Sequence, residues 1–389
     1  MTEKLIRCGR LIRGTDDPPV ENAWVHIRAE RIEAVGGGKA PEGNFQQIDL
    51  RELTVLPGFI DAHSHLSIVP GEGDQLGQMR QDGPWNTIRS IPNLEANLRS
   101  GVTVQRIMGE EHGIDFHLKR GIEQGLVLGP RLLASGRHLV ASNGHGVALT
   151  TTDGEQEVRK LARRNLALGA DQIKIFVTGG LSSAGTSVDV CSYTPQEVAA
   201  AVEEAGRAGT YVAAHAHGGR GVDLCIAEGV RTVEHGAFVD ETQLEAMIKS
   251  EMWLVGTFSI LFHPEGIEKS DFSVPSIRDK VMRAREVVAE NFRTVVASGV
   301  NLALGSDSMH GWIGFEAECL VDFGASPLRA IQAITRDAAR ACRVDREHGT
   351  VEPGKRADLV AVAGDPLQDI SRLQAVKAVF KGGVPVDGA

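Results

Sequence analysis

The sequence predicts an α/β fold: a distorted TIM-type (β/α)8 barrel joined to a small composite β-sandwich domain formed by both chain ends. Three observations carry this. After Gly58, short apolar runs alternate with longer helical-period segments, and with the strand that ends at His63 they number eight. The first fifty-odd residues and the last forty alternate apolar and polar side chains between glycine turns instead. Histidine, lysine and aspartate recur within or at the carboxyl ends of the apolar runs, the face on which such barrels build their sites.

In chain order, residues 1–56 (KLIRCGRLIRG, ENAWVHIRAERIEAVGGG, FQQIDLRELTVLPG) read as strands of a small antiparallel sheet. The Pro57-Gly58 pair marks the exit into the barrel, assigned to 57–347. Its later strands are GVTVQRIM (101–108), PRLLASG (130–136), DQIKIFVTGG (171–180), TYVAAHAH (210–217), RTVEHG (231–236), MWLVGTFS (252–259) and NLALGSDS (301–308). Amphipathic stretches separate them; TPQEVAAAVEEAGRAG begins with Thr194 as N-cap and Glu197 completing a capping box. Residues 348–389 return to short strands and complete the N-terminal sheet.

Composition excludes several classes. The 389 residues carry a formal charge of −10 and no basic stripe, so no nucleic-acid partner is expected. No eighteen-residue apolar run predicts a membrane span, and the polar N-terminus has no signal-peptide core. Five cysteines without CxxC spacing (Cys8, Cys191, Cys225, Cys319, Cys342) fit reduced thiols in a cytoplasmic protein.

The chemistry lies in the pattern of polar residues. His63 and His65 follow the first barrel strand, Lys174 sits within the fourth, His215 and His217 close the fifth, His235 the sixth and Asp307 the eighth. In a strand, residues i and i+2 face the same way, so each HxH pair aims two imidazoles at one point. Imidazole and carboxylate ligands suit zinc or a similar divalent ion. Taken singly, Asp307 reads as a helix N-cap and Lys174 as a snorkelling side chain. Lys174, however, lies between Ile173 and Ile175 in a strand covered on both faces, where a bare ammonium is costly.

These motifs resemble the metal-dependent amidohydrolase superfamily, in its imidazolonepropionase-like and Xaa-Pro dipeptidase-like (carboxypeptidase-like) branch. The resemblance rests on PGFIDAHSHL (57–66), GPRLLASGRHL (129–139), NGHG (143–146), DQIKIFVTGG, VAAHAHG, TVEHG, LGSDS and GTVEPGKRADLVAVAGDPL (349–367). It implies a binuclear centre: His63 and His65 on one ion, His215 and His235 on the other, and Lys174 carboxylated to a bridging carbamate. Asp307 would bind the first ion and shuttle the proton of a bridging hydroxide. His145 in the NGHG loop is similar to a family histidine that polarises the substrate carbonyl. His217 stands where dipeptidase relatives often have tyrosine, so it is expected to touch substrate. Asp61 is expected to orient an imidazole or end its strand.

The function so implied is hydrolysis of a C–N amide bond in an N-acyl amino acid, a dipeptide or an arylamide. The alternatives are ring opening of a cyclic amide, a mononuclear deaminase or a non-catalytic binding protein; HAHGGRGVD offers no glutamate for the deaminase. The loops SIVPGEGDQLGQMRQDGPW (67–85), with Met79 and Trp85, and FSILFHPEGIEKSDF (258–272), with Phe258, Phe262 and His263, are expected to wall the pocket. Phe258, Phe262 and His138 are candidate substrate contacts, and Arg137, His138 and Arg220 candidate carboxylate ligands. A small-molecule substrate and a homo-oligomer are expected.

Overall fold

A computed structural model describes residues 3–181, 187–270 and 273–387. Asp271 and Phe272 of the second predicted pocket loop therefore lie outside the described residues. The chain ends form one seven-stranded sheet from β1 (Lys4–Leu11), β2 (Val20–Arg28), β3 (Arg31–Gly37), β4 (Gln46–Pro57) and, after the barrel, β14 (Leu359–Ala363), β15 (Val376–Lys381) and β16 (Val384–Pro385). Its order is β16-β15-β14-β4-β1-β2-β3. The pairing departs from the expected antiparallel sheet at one place, where β1 and β4 run parallel. The sheet curls until its flanks meet, with Ile32 N–H donating to Lys355 O at 2.9 Å and Ala357 N–H to Glu30 O at 2.8 Å. The sandwich is thus one rolled sheet around Ile6, Val25, Val55, Leu359 and Phe380.

The barrel strands are β5 (Phe59–Ser64), β6 (Val102–Ile107), β7 (Arg131–Leu133), β8 (Leu139–Val140), β9 (Ile173–Phe176), β10 (Val212–Gly218), β11 (Thr232–Phe238), β12 (Trp253–Gly256) and β13 (Asn301–Leu304). The predicted third strand is split: β7 pairs with β6, and β8 pairs with β9. Two parallel ladders result, β5-β6-β7 and β13-β12-β11-β10-β9-β8. β5, β6, β9 and β12 are buried throughout, as expected when helices cover the outside and side chains fill the inside.

The two ladders meet at a seam between β13 and β5, and side chains and turns close it. Asp307 N–H donates to His63 O at 2.8 Å. Ser306 donates to Asp61 through its N–H at 2.9 Å and its hydroxyl at 2.6 Å. Gly305 lies so near β5 that a Cβ there would sit 2.3 Å from His63 N. The helices start as the sequence indicates, with Thr194 and Glu197 forming a reciprocal capping box on Pro195–Arg207. No helix among the described residues is long and apolar enough to cross a membrane.

Candidate active site

β5, β10 and β11, with the turn after β13, bring His63, His65, His215, His217, His235 and Asp307 to one cavity of about 470 Å³. His145 lines it as well, from the loop after β8. The imidazoles are close: ring centroids lie 4.7 Å apart for His63 and His235, 4.6 Å for His215 and His235, and 4.7 Å for His145 and His215. His235 (φ 73°) and Asp307 (φ 46°) adopt left-handed backbone conformations, strain of the kind that collects at functional sites.

The hydrogen bonds fix which nitrogens are available. His63 Nδ1 lies 2.7 Å from Glu234 Oε2, and His65 Nδ1 lies 2.9 Å from Gly109 O. Both partners only accept, so each Nδ1 carries a proton and each Nε2 is the atom turned to the cavity. Those Nε2 atoms face Asp307 Oδ1 at 3.5 and 3.9 Å. His63, His65 and Asp307 offer three donor atoms within 4.8 Å of one another. His215 Nε2 donates to Gly179 O at 3.2 Å, which frees its Nδ1, and His235 Nδ1 lies 2.8 Å from Thr257 Oγ1. Backbone and side-chain groups behind the imidazoles are how metal sites set tautomer and direction.

Burial lowers the proton affinity of five cavity histidines. It brings His65 down to about 3, His217 to about 3 and His145 to about 4, and places His215 and His235 well below the ordinary value. Neutral imidazoles at neutral pH are what a metal requires. Burial pushes the Asp307 carboxyl up, but the contact with His63 and the nearby Lys174 charge act against it and the group lies at about 2.

Lys174 completes the arrangement. It is fully buried on β9, its Nζ has no hydrogen-bond acceptor among the described residues, and it lies 4.7 Å from the Phe176 ring centroid. Burial depresses its pKa to about 8. A bare ammonium gains little in such a place. The orphaned Nζ and His63 Nε2, with the clustered imidazoles and a carboxylate, fit a metal centre.

Several supporting residues escaped the sequence reading. Glu234 holds His63 and is itself held by Arg106, whose Nη2 lies 2.8 and 2.9 Å from the two carboxylate oxygens. Both are fully buried. Arg106 also donates to Ala62 O at 2.6 Å and Thr232 Oγ1 at 3.1 Å. Burial pushes Glu234 up, but the Arg106 charge and the His63 contact bring it down to about 2. Two adjacent acids brace the loops: Glu110 accepts from the Ser67 hydroxyl at 2.7 Å beyond His65, and Glu111 accepts the Leu149 and Thr150 N–H groups, both at 3.0 Å, beyond His145. Asp61 touches no imidazole side chain; it accepts the His63 N–H at 3.1 Å and ties β5 to the turn after β13.

Some expected substrate contacts lie elsewhere. Phe258 is fully buried against Phe292 and Phe323, with centroids at 4.6 and 5.0 Å, and is absent from the cavity lining. Phe262 packs on Phe323 at 5.7 Å, outside the cavity. Both rings pack on the helix side, where Phe323 receives them. Phe258→Ala is therefore expected to cost about 3–5 kcal/mol of stability, read by urea unfolding, while leaving cavity residues in place. His138 is buried behind Phe176, its Nε2 donating to Gly146 O at 2.8 Å, so it supports the His145 loop and does not face the cavity. His263 stacks on Trp312 at 3.9 Å. Arg137 lies 3.7 Å from Glu111, Arg220 is exposed, and neither lines the cavity. Of the first loop, Met79 lines the cavity and Trp85 is exposed.

A (β/α)8 barrel that gathers histidines and an aspartate from five strand ends into one buried cavity has the architecture of a barrel hydrolase. The family model confirms it: residues 54–386 match the amidohydrolase family, and the chain belongs to that family. It is 28% identical to ochratoxinase of Aspergillus niger over 97% of this chain and 85% of that protein. It is 23% identical to imidazolonepropionase of Pseudomonas fluorescens, over 90% of each. Among solved structures it is similar to a Xaa-Pro dipeptidase with methionine bound in the active site, at 31% identity and a TM-score of 0.92 over the whole of both chains. The chain is a hydrolase acting on C–N bonds, of a family generally dependent on metal.

Proposed function

We propose that this protein is a binuclear metal-dependent hydrolase that cleaves a C–N amide bond of an N-acyl amino acid, dipeptide or arylamide. Two divalent ions, zinc by the donor set, would be held by His63, His65 and Asp307 on one side and His215 and His235 on the other, with carboxylated Lys174 between. When bound, they supply Lewis acidity toward the amide carbonyl and an activated water as nucleophile. The observation that carries this reading is Lys174: a fully buried amine without an acceptor, set among neutral imidazoles. The ochratoxinase and Xaa-Pro dipeptidase relatives support an amide as the target.

The chain's own groups divide the remaining work. His145, neutral at physiological pH, donates a hydrogen bond to the carbonyl oxygen as charge develops there. Gly180 makes room for it, since a Cβ at that position would lie 2.4 Å from its Nε2. Asp307, ionised, accepts a proton from the attacking water and passes it to the leaving nitrogen. His217 lines the cavity with its Nδ1 unpartnered among the described residues, ready to contact substrate. A homo-oligomer is part of the same proposal, and analytical ultracentrifugation tests it.

Lys174→Ala is expected to lose at least one of the two ions by elemental analysis, with short carboxylic acids restoring part of the content. Native mass spectrometry of the wild type should show one added CO₂ that acid unfolding removes. The carbamate forms from the neutral amine only, and the Lys174 amine loses its proton as pH rises through about 8. Reactivation of chelator-stripped protein by zinc and bicarbonate should therefore accelerate from pH 6 to pH 8. A rate that falls over this window overturns the modification.

A further inference from the structure

Away from the histidine cavity, a second hollow of about 50 Å³ lies between the start of the helix Ile114–Glu123 and the end of the helix Gly154–Ala167. Its lining is cationic. Arg137 comes from the segment between β7 and β8, Arg164 from the last turn of the second helix, and His112 from the turn ahead of the first. Phe116, Asn165 and Leu168 complete the wall, and no carboxylate lines it among the described residues. Gly136 shapes the floor: its φ is 70°, and a Cβ there would lie 2.6 Å from Asn165 Oδ1 and 2.9 Å from the Phe116 ring. Asn165 Nδ2 donates to Arg137 O at 2.6 Å, which fixes the backbone from which the guanidinium extends.

The two guanidiniums are not neutralised within the protein. Arg159 and Arg163 of the same helix pair with Glu203 and Glu204, whereas Arg164 makes no ion pair among the described residues. Arg137 meets one acid, Glu111, at 3.7 Å and without a hydrogen bond. The Glu111 oxygens already accept the Leu149 and Thr150 N–H groups and the Thr150 hydroxyl. His112 Nε2 donates to Gln81 O at 3.1 Å, which holds the imidazole beside the hollow. A buried water needs roughly 10–15 Å³ and a drug-sized ligand roughly 300 Å³ or more, so the space suits one small polyatomic group. Guanidinium forks match oxyanions. A carboxylate's single charge needs one of them, whereas a phosphate group, carrying about −1.5 to −2 at pH 7, engages both.

We infer that this hollow binds a phosphate group, held between Arg137 and Arg164, with any organic body of the ligand leaving over Phe116 and Leu168. The site is separate from the hydrolytic reading above, because none of its residues lines the histidine cavity.

Calorimetric titration of the zinc-loaded protein with inorganic phosphate at constant ionic strength tests this, in the wild type and in Arg164→Gln, Arg137→Gln and Arg164→Lys. Arg164 is exposed, so its variants should melt at the wild-type temperature. Each Gln substitution should weaken phosphate binding by about 10-fold, the low end for a hydrogen bond to a charged group. Arg164→Lys should recover part of the loss, since it keeps the charge and loses the fork. Phosphate bound at zinc in the histidine cavity would be indifferent to either arginine, so unchanged binding in both Gln variants overturns the proposal. Chloride bound as tightly as phosphate overturns it too, reducing the hollow to a diffuse positive field. Tungstate soaked into crystals should give an anomalous peak between the two guanidiniums, and a peak at the histidines alone overturns the assignment. Phenyl phosphate distinguishes the source of the group. Affinity equal to that of inorganic phosphate assigns the free ion. Affinity tighter by about threefold or more, and lost in Leu168→Ser, assigns an ester whose body rests on Phe116 and Leu168. Either result supports the site.

Discussion

Asp307→Asn is expected to keep its metal and lose about 1,000-fold or more in turnover, the scale of a lost acid-base group. The substitution is isosteric, and asparagine is among the few residues that tolerate the left-handed backbone found at position 307 (φ 46°). The turn should therefore keep its hydrogen bond from Asp307 N–H to His63 O, and an oxygen should still face His63 and His65. What the amide cannot do is accept a proton. Elemental analysis beside steady-state rates separates the two roles. Near-normal turnover at full metal content removes Asp307 from proton transfer, and loss of metal shows that its charge is needed for binding.

The second large effect is expected at a residue remote from substrate. Glu234→Ala leaves the Arg106 guanidinium fully buried without its carboxylate and His63 Nδ1 without its acceptor. Breaking a buried ion pair from one side costs about 3–5 kcal/mol, which urea unfolding will register. Loss of the group behind a ligating imidazole typically weakens metal binding by about 10–100-fold, measurable by competition with a zinc chelator. A double variant separates the two consequences. Arg106→Met in the Glu234→Ala background removes the orphaned charge and should recover much of the stability, while zinc affinity stays low because His63 is still unheld. Recovery of both together would show that Glu234 acts on the fold alone.

Much of this arrangement was legible in the sequence because strand ends in a barrel converge. Runs ending in HSH, HAH, EHG and SDS needed no three-dimensional information beyond the strand count, and Lys174 between two isoleucines announced a buried amine. The Arg106–Glu234 pair carried the same signal and was passed over. An arginine in GVTVQRIM and a glutamate in TVEHG both sit in strands covered on two faces, where opposite charges must pair. Which strand end faces which was not legible, however, because the partners are 128 residues apart. Phe258 and Phe262 misled for another reason. Their place after β12 puts them at the mouth, but the side-chain direction is decided by Phe292 and Phe323, which arrive from helices far along the chain. The parallel pairing of β1 with β4 is likewise a long-range choice that alternation within each strand does not encode.

The seam between β13 and β5 gives the centre a mechanical meaning. His63 and His65 belong to the first stave of the cylinder and Asp307 to the turn after the last, so an ion shared by the three would act as a buckle across the join. Stripping it should do more than stop chemistry. Deuterium uptake should rise first at the amides of β5 and of the turn after β13, ahead of the central ladder, and protease cutting should begin in the segments flanking that join. Holding the reagent and holding the cylinder shut would then be one task, and the protein's lifetime would follow its metal supply.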